Sequence, residues 1–562
     1  MNLLHASWLP FRTGEGQITY RPPSAIADPE VVDLALPRAD FQGAAYQWLI
    51  GLLQTALPPE DYADWMELFA EPPDTEALEN AFAPFAAAFE LDGDGPRFMQ
   101  DLDLLEQAPC TPVAGLLIEA PGQSTLEKNI DHFIKRGIAD EICLSCAAIA
   151  LFTMQVNAPE GGRGHLTGLR GGGPLTTLVL PDSSHKSLWH KLLLNVLAPE
   201  RITAKGQVYT EPTAESASVF PWMGATQTSD KNGSKVLPSD VHPLHVYWAM
   251  PRRFRLLVEE KPCNCQLCGR QTESRVRELR NKAYGAKYDG PWQHPLTPYH
   301  RNSKKLSELP YSRKAQEDGL GYRHWSSFVF QNTRSGGALP AMVVHDFIAG
   351  KAPSNQDAVE WGDEVEALLN RPRLWAFGYD MKSNKARGWY NLEMPLVAIS
   401  EQQQQERLRE WVEIFTEFSM EVAKKLREQI KSAWFKRPKV AKGDMSHIDQ
   451  QFYEATQAGF FRALHGMQQA LVNGKKTHMP TSIAQSWYRE LRRHALQLFE
   501  AHALSGPLEE LDMKRIMRAR RQLLGWLAGS SKGSKVITNF AKQGGFELKP
   551  TAGTSPIEEI MP

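Results

Sequence analysis

Apolar residues recur at helical spacing along the last third of the chain. The clearest run begins after Glu401, where seven apolar positions fall on one face of a predicted helix. These positions are Leu408, Trp411, Val412, Phe415, Phe418, Val422 and Leu426. Three further segments, 448–471, 481–504 and 509–527, show the same periodicity and are separated by Gly, Pro or polar residues. Four amphipathic helices with short connections predict a four-helix bundle.

Before residue 400 the pattern is mixed and irregular. Short apolar runs at 174–181 and 327–332 predict strands. Longer periodic stretches at 44–57 and 75–89 predict helices. Gly and Pro interrupt the rest, so this part of the chain is expected to combine short strands, helices and loops.

The length of 562 residues favours at least two domains. We therefore expect an α+β protein with a mixed, irregular N-terminal domain over 1–400, a four-helix bundle over 401–540 and a tail over 541–562. No run of about 18 apolar residues predicts a transmembrane helix. The N-terminus lacks the basic and apolar regions of a signal peptide. The few cysteines fit a reducing, cytoplasmic location.

The net charge of −2 hides a strong asymmetry along the chain. Residues 28–107 hold eighteen Asp or Glu against two Arg, whereas residues 261–315 hold twelve Lys or Arg against four acids. The aromatic side chains of the basic stretch include Tyr284, Tyr288, Trp292 and Tyr299. Basic residues interleaved with aromatics suit a nucleic-acid surface. A solvated basic loop is the alternative interpretation.

Two Cys-x-x-Cys pairs lie far apart in the sequence, Cys143 with Cys146 and Cys265 with Cys268. Two such pairs are the usual source of four thiolates for one tetrahedral zinc ion. The separation is too long for a small zinc ribbon, so a shared metal would join distant segments of one large domain. Ordinary buried thiols or one redox pair are the alternatives. Cys263 could replace Cys265 as a ligand, and Cys110 is expected to be a core thiol.

Catalytic motifs are mostly missing from the sequence. There is no GxxxxGK[ST] phosphate loop, no HExxH, and no histidine that begins the H-x-E of a zinc deaminase. One GxSxG match, at 529–533, follows a predicted helix instead of a strand, which is the wrong context for a catalytic serine. A zinc held by four thiolates would also lack an open coordination position. The sequence thus favours a binding and scaffolding protein over an enzyme.

Two loops could contact a ligand. The first, at 158–174, is rich in glycine and carries Arg163 and Arg170, so it could bind phosphate groups or be a flexible surface loop. The second, at 377–391, has aromatic ends and a polar, cationic centre. It predicts a hairpin that presents its tip to a partner, with a solvated loop as the alternative.

The order of these motifs resembles a known family. Along the chain stand NLL, LSCAAIALF, GLRGGGPLTT, CNCQLCG, GPWQHP and FGYDMKSNKAR, followed by the predicted bundle. Together they resemble the CasA family, the large subunits of the type I-E CRISPR surveillance complex Cascade. The resemblance implies a subunit without catalytic activity that lies at the 5′ end of the crRNA. It further implies that the subunit reads the protospacer-adjacent motif of double-stranded target DNA, starts strand separation and recruits a helicase-nuclease.

The same resemblance assigns roles to individual residues. It implies zinc ligands at Cys143, Cys146, Cys265 and Cys268, and a loop against the motif duplex at Gly161, Gly162, Arg163 and Gly164. It implies a lysine finger at Lys282, with Lys287 in reserve, and a wedge beside the motif at Asn384, Lys385 and Ala386. Phe133 matches a segment that contacts the crRNA 5′ handle, although a core aromatic is the alternative. The implied partners are the other Cascade subunits, the crRNA, target DNA and the helicase-nuclease, with no membrane.

Two hypotheses from other classes remain open at this stage. One is a zinc-dependent nuclease or deaminase that acts on nucleic acid, which requires an open metal position and a nearby general base. The other is a purely structural assembly subunit that makes no contact with DNA.

Overall fold

The computed structural model describes most of the chain. The described residues are 1–121, 137–162, 164–183, 187–204, 207–230, 233–302, 305, 307–317, 319–331, 337–352, 368–382, 385–399, 401–474, 476–507, 509, 511–531 and 533–548. They form two compact units. The first comprises Met1–Gln316 with Ser327–Leu396, and the second comprises Glu317–Ser326 with the chain from Val397 onward.

The first unit combines short helices with small sheets. Its helices are Ala39–Ala56, Tyr62–Ala70, Thr75–Phe82, Leu144–Asn157, Leu188–Leu193, Pro199–Ile202, His245–Trp248 and Met342–Asp346. Its strands are β1 Leu9–Thr13, β2 Ile18–Arg21, β3 Val31–Leu34, β4 Cys110–Pro112, β5 Thr176–Leu180, β6 Lys235–Val236, β7 Arg253–Glu259, β8 Cys263–Asn264, β9 Gln271–Thr272, β10 Arg275–Lys282, β11 Lys287–Tyr288, β12 Tyr299–His300, β13 Tyr311–Ser312, β14 Ala338–Leu339, β15 Arg373–Lys382 and β16 Lys385–Pro395.

Three of the three-stranded sheets position the regions of interest. One has the strand order β2-β1-β3, the second β4-β10-β7, and the third β16-β15-β5. In the third sheet, β15 pairs antiparallel with both neighbours. Its pairing with β5 begins at Arg373↔Leu180, and its pairing with β16 reaches Lys382↔Lys385 at the tip of the hairpin. The long β15–β16 hairpin is therefore anchored by β5 at its base, over Arg373–Phe377.

An aromatic cluster fills the core of the first unit. The ring of Trp48, in the largely buried helix Ala39–Ala56, lies 5.3 Å from that of Trp8 and 5.7 Å from that of Phe89. Trp222 lies 5.1 Å from Phe98 in the same cluster. Edge-to-face pairs of this kind add to the burial energy of the rings. Because the helix is apolar on nearly every face, its burial matches its composition.

The second unit is a bundle of four long helices, Gln402–Trp434, Ser446–Val472, Thr481–Ala503 and Met513–Leu527, with a short helix Lys535–Gln543 beside them. All seven apolar positions predicted to face the core of the first of these helices are buried. Trp487 stacks on Phe415 with ring centres 5.9 Å apart, and Phe418 stacks on Phe540 at 4.1 Å. The predicted α+β fold with a C-terminal bundle is confirmed.

The segment Glu317–Ser326 belongs to the second unit although it precedes the bundle by about eighty residues. Its Tyr322 stacks on Phe460 at 4.4 Å, and the Tyr322 hydroxyl lies 3.0 Å from Oγ1 of Thr456. The predicted boundary near residue 400 stays a prediction, but this segment shows that the second unit draws on an earlier part of the chain.

One local prediction was wrong. The run 327–332 was expected to be a strand, yet the structure forms the helix Trp325–Val329 there. A short apolar run does not distinguish a strand from a buried helix, and here Trp325 and Phe328 are fully buried. The GxSxG match at 529–533 follows the helix Met513–Leu527 as expected, and a further helix, Lys535–Gln543, comes after it. In the part of the chain that the structure describes, no helix is long and apolar enough to cross a membrane.

Candidate metal site and nucleic-acid interface

The two Cys-x-x-Cys pairs meet in the structure. The sulfur atoms of Cys143, Cys146, Cys265 and Cys268 all lie within 4.8 Å of one another, and the Sγ atoms of Cys143 and Cys268 are 3.7 Å apart. Tetrahedral zinc with Zn–S bonds of about 2.3 Å places its sulfur ligands about 3.8 Å apart. The four cysteines therefore fit a site in which one metal ion is bound by four thiolates.

Each pair is held by local backbone structure. Cys143 caps the helix Leu144–Asn157, and its sulfur accepts a hydrogen bond from the Cys146 amide at 3.4 Å. The other pair lies in a tight turn in which the Gly269 amide donates to the Cys265 carbonyl at 2.8 Å. Gly269 adopts φ +73°, a conformation that favours glycine. Both pairs thus present their sulfurs from a rigid frame.

Cys263 and Cys110 lie outside this cluster. Cys263 pairs with Thr272 across β8 and β9, and its sulfur lies 3.5 Å from the Thr272 hydroxyl. The geometry selects Cys265 over Cys263 as the fourth sulfur. The expectation that Cys110 is a core thiol is wrong, since Cys110 is exposed at the edge strand β4.

The four thiols lie close enough to interact through hydrogen bonds. Hydrogen bonds from the thiols of Cys143 and then Cys146 lower the pKa of Cys268 to about 6, and they lower the pKa of Cys265 as well. A bound cation would favour the thiolate form of all four sulfurs, because metal binding requires thiolates.

A cation–π contact connects the turn that holds Cys265 and Cys268 to the β2-β1-β3 sheet. The guanidinium carbon of Arg270, one residue beyond Gly269, lies 3.6 Å from the ring centre of Tyr20 on β2. Burial, followed by the nearby negative charge of Cys268, raises the pKa of Tyr20 to about 12. Tyr20 therefore stays neutral and provides an aromatic face for the cation.

The glycine-rich loop folds back against the end of β10. The Tyr284 amide donates to the Gly164 carbonyl at 2.7 Å. Gly164 has φ +81°, and a Cβ atom there would lie 2.9 Å from the Cβ of Ala283. A Cβ on Gly161 would lie 2.9 Å from Nη1 of Arg252. Gly161 and Gly162 are exposed, so the loop presents backbone to its surroundings while packing tightly below.

The predicted lysine finger stands beside this loop. Lys282 is the last residue of β10, and its Nζ lies 3.5 Å from a carboxylate oxygen of Asp103. Both side chains are about half exposed, so this ion pair is weak and exchangeable. Lys287 is exposed on β11, which pairs with β6 instead. Of the two candidate lysines, Lys282 is the one adjacent in sequence to Ala283 and Tyr284, which contact Gly164.

The predicted hairpin is present over 373–395. Its strands approach at Lys382↔Lys385, with a register shift between Asp380 and Met381. Lys385 is exposed and Ala386 is half-buried. The other end of the glycine-rich loop contacts this hairpin, since a Cβ on Gly173 would lie 2.6 Å from Cγ of Met381.

Three predicted residues, Phe133, Arg163 and Asn384, lie outside the described residues. Arg170, which was expected to add charge to the glycine-rich loop, is instead buried. It donates hydrogen bonds to Thr297 at 2.8 Å and to Gln47 at 2.7 Å. The interpretation of Arg170 as a surface cation is wrong, because the loop turns that side chain into the core.

Sequence reasoning missed Arg252. This residue is buried beneath the loop, where its guanidinium donates to the Pro159 carbonyl and lies against Gly161. Burial lowers the pKa of Arg252 to about 10, which leaves it charged at neutral pH. Its only sequence signal was the basic dipeptide at 252–253 before an apolar strand, which is too common to be informative.

The fold and site define a class: a two-unit α+β protein with a four-cysteine cluster and, elsewhere in the same unit, a glycine-rich loop against a basic strand end. The sequence model for the family described as CRISPR-associated protein Cse1 matches residues 2–498. The chain belongs to this family, and the resemblance to the large subunit of Cascade is confirmed.

Solved structures share the fold at low identity. Thermus thermophilus CasA is 18% identical, with a TM-score of 0.62, over 93% of this chain and 99% of that one. Thermobifida fusca Cse1 is 15% identical, with a TM-score of 0.65, over 97% of this chain and 98% of that one. A chain described as part of a CRISPR RNA-guided surveillance complex is 14% identical, with a TM-score of 0.53, over 93% of this chain and 99% of that one.

Proposed function

We propose that this chain is the non-catalytic subunit of a crRNA-guided surveillance complex that reads the protospacer-adjacent motif in double-stranded DNA and begins to open it. Family membership supports a place in such a complex, and one structural relative is a chain of a CRISPR RNA-guided surveillance complex. The other Cascade subunits, the crRNA and a recruited helicase-nuclease are the proposed partners, in the cytoplasm.

One observation carries this proposal: a single loop lies against both segments that carry the residues expected to act on DNA. Gly164, near its start, meets Ala283 and Tyr284 beside Lys282. Gly173, near its end, meets Met381 in the hairpin. The loop therefore couples a cationic strand end to a projecting hairpin within one compact unit.

The chemistry of these parts suits motif recognition in the minor groove. That groove offers a degenerate pattern of acceptors, so its readout depends on close approach and on a few donors. Glycine allows the backbone of Gly161 and Gly162 to approach closely. Lys282 would exchange its weak contact with Asp103 for acceptors of the bases or the backbone.

The hairpin supplies a structure that can separate strands. Kinking and unstacking a duplex costs a few kcal/mol per base step, which inserted side chains offset. The base of the β15–β16 hairpin is held by the pairing of Arg373–Phe377 with β5, and Lys382 and Lys385 carry positive charge near the tip. Guide pairing then supplies the sequence discrimination, while the protein reads only the short motif.

We assign zinc to the four-cysteine site in a structural role. Four thiolates fill the tetrahedral shell of zinc, which leaves no position for a substrate or an activated water. The metal would fix the two cysteine pairs, and with them the start of the helix Leu144–Asn157 and the turn before β9. This closed shell argues against the zinc-dependent nuclease or deaminase alternative.

A gel-shift assay of the reconstituted complex across a randomised motif library tests motif reading. Lys282→Ala should weaken binding by about 1–3 kcal/mol, the scale of one good base contact. Part of that loss should shrink as salt rises, because counterion release contributes to the contact. Lys287→Ala is the matched control and should have the smaller effect. A larger effect at Lys287 would move the finger to β11, and no effect at either would remove β10 and β11 from the interface.

Duplex opening tests the hairpin separately. Replacing Asn384, Lys385 and Ala386 with glycines should impair R-loop formation on intact duplex much more than on a target already opened beside the motif. Assembly and guide binding should stay normal. Equal defects on both targets would exclude the wedge role, and normal R-loop formation would favour a purely structural subunit.

A further inference from the structure

A cavity in the first unit, lined by residues outside the glycine-rich loop, is built from charged and apolar walls. Its volume is about 360 Å³, and its lining includes Arg201, Arg301, Gln293, His294, Met342 and Asp346. This volume falls within the range of pockets that bind small ligands. Neither the four-cysteine site nor the proposed DNA-reading residues line it.

The cavity carries an excess of positive charge. Nε of Arg301 is buried and has no hydrogen-bond partner among the described residues. Asp346 is the carboxylate in the lining, and two cations share it, since its oxygens lie 3.6 Å from Nε of Arg201 and 3.2 Å from Nζ of Lys351. Arg301 also lines the cavity and has no carboxylate partner among the described residues, so its charge would stabilise an anion in the cavity.

A second buried cation lies directly behind the wall. Arg170 donates to Thr297, a lining residue, at 2.8 Å. Its other acceptors in the described part of the chain are the neutral oxygens of Thr176 and Gln47. The positive charge of Arg170 is therefore compensated by dipoles alone, which adds to the attraction for an anion in the cavity.

His294 contributes a directed donor. Its Nδ1 accepts a hydrogen bond from the Leu296 amide at 3.1 Å. Burial, followed by the charge of Arg170, keeps the pKa of His294 well below its ordinary value, so the ring is neutral. With Nδ1 acting as acceptor, the ring proton resides on Nε2 and is available to donate.

The rest of the lining is suited to a flat organic group. Leu197, Leu339, Pro340 and Met342 form apolar wall, and Gln293 and Gln331 offer amides that donate and accept together. Paired donor and acceptor groups match the edge of a nucleobase.

We propose that this cavity binds a nucleotide, with the phosphate at Arg301 and Arg201 and the base against the apolar wall and the glutamines. The nucleotide could be a free nucleoside monophosphate or the 5′-phosphorylated end of a strand. This inference does not depend on the proposed DNA-reading role.

Isothermal titration calorimetry on the purified full-length chain tests the assignment. The probes are the four ribonucleoside 5′-monophosphates, the matching nucleosides, inorganic phosphate and a 5′-phosphorylated dinucleotide. We expect at least one monophosphate or the dinucleotide to bind at least tenfold more tightly than its nucleoside and than phosphate alone. Binding by the monophosphate assigns a free nucleotide, and binding by the dinucleotide alone assigns a strand end.

Two variants locate the binding. Arg301→Gln should weaken it at least tenfold. Arg201→Gln, whose side chain is 58% exposed and so tolerates replacement without unfolding, should weaken it about threefold. Arg437→Gln, an exposed arginine of the other unit, is the matched control and should leave binding unchanged. Absence of binding by every phosphorylated probe, or binding that neither Arg301→Gln nor Arg201→Gln changes, would overturn the proposal.

Discussion

The two units of this protein are stabilised in different ways. In the second unit, long helices bury a periodic apolar stripe, so the stabilisation is spread over many similar contacts. In the first unit, a few specific links join distant segments, such as the sulfurs of Cys143 and Cys268, 125 residues apart. A further link joins Trp222 to the carbonyl of Ala88 over 134 residues. The irregular unit should therefore be more sensitive to single chemical changes, to metal and to pH.

The strongest test of this contrast removes one sulfur. Cys143→Ser should abolish stoichiometric zinc and lower the unfolding free energy of the first unit by about 5 kcal/mol or more, a fraction of the binding energy of structural zinc. The bundle should keep its own unfolding transition. Elemental analysis and calorimetry on the same sample measure both quantities.

Cys263→Ser is the matched control for that experiment. Cys263 is buried nearby but contacts Thr272 instead of the cluster, so zinc content should be unchanged. Loss of zinc in Cys263→Ser, or zinc retained at full stoichiometry in Cys143→Ser, would contradict the assigned ligand set.

The reverse experiment targets the bundle. Trp487 is 1% exposed and contacts the rings of Phe415, Phe460 and Tyr322. Trp487→Ala should lower the unfolding free energy of the second unit by about 3–5 kcal/mol through a large cavity. Zinc content should not change. Met420→Ala, at a position that is 42% exposed, should alter stability by no more than about 0.5 kcal/mol. If Trp487→Ala also released zinc, the two units would not be independent.

Acid should act first on the irregular unit. Burial lowers the pKa of His245 to about 4, and the ring is held between the Ser218 carbonyl at 2.9 Å and the Tyr288 hydroxyl at 3.2 Å. The unfolded chain takes up this proton near pH 6.5, whereas the folded chain does so near 4. The contribution of His245 is therefore complete above pH 6.5 and is lost as the pH falls to 4, by up to about 3 kcal/mol.

Buried His294 and His242 have pKa values shifted in the same direction, chiefly by burial. In the bundle, His494 and His502 are only half-buried, so its transition should move less. Thermal unfolding at about pH 7.5 and about pH 5, on either side of the ordinary histidine pKa, measures the difference. His245→Gln should reduce the dependence on pH of the unfolding temperature of the first unit. An unchanged pH dependence in this variant would refute the role of His245.

The smallest expected effect concerns the glycine-rich loop. Gly164→Ala must hold φ +81° and crowd both Ala283 and the Tyr284 amide. Its cost should be about 1–2 kcal/mol, the usual penalty for a left-handed residue with a side chain. Gly95→Ala is the control, because a Cβ there meets no atom within 4 Å. Thermal unfolding checks the cost, and equal behaviour of the two variants would mean that the loop adapts freely.

Several features could be predicted from residues and spacing alone. The stripe from Leu408 to Leu426 determined the first bundle helix, because helical periodicity is a local property that tertiary contacts reinforced. Two Cys-x-x-Cys pairs indicated one shared site, because few other arrangements use four thiols at that spacing. The aromatic ends of 377–391 indicated the hairpin for a similar local reason.

Other features depended on contacts between distant residues. Side-chain direction turned Arg170 into the core and left Cys110 at the surface, and no local pattern specifies either outcome. Tyr322 joined the bundle from an earlier segment, since burial depends on available aromatic partners and not on order along the chain. The choice of Cys265 over Cys263 required the β8–β9 turn, which places the two sulfurs in different surroundings. The sequence by itself determined which elements and ligand types exist, whereas the tertiary structure decided which side chains meet, because that depends on three-dimensional packing.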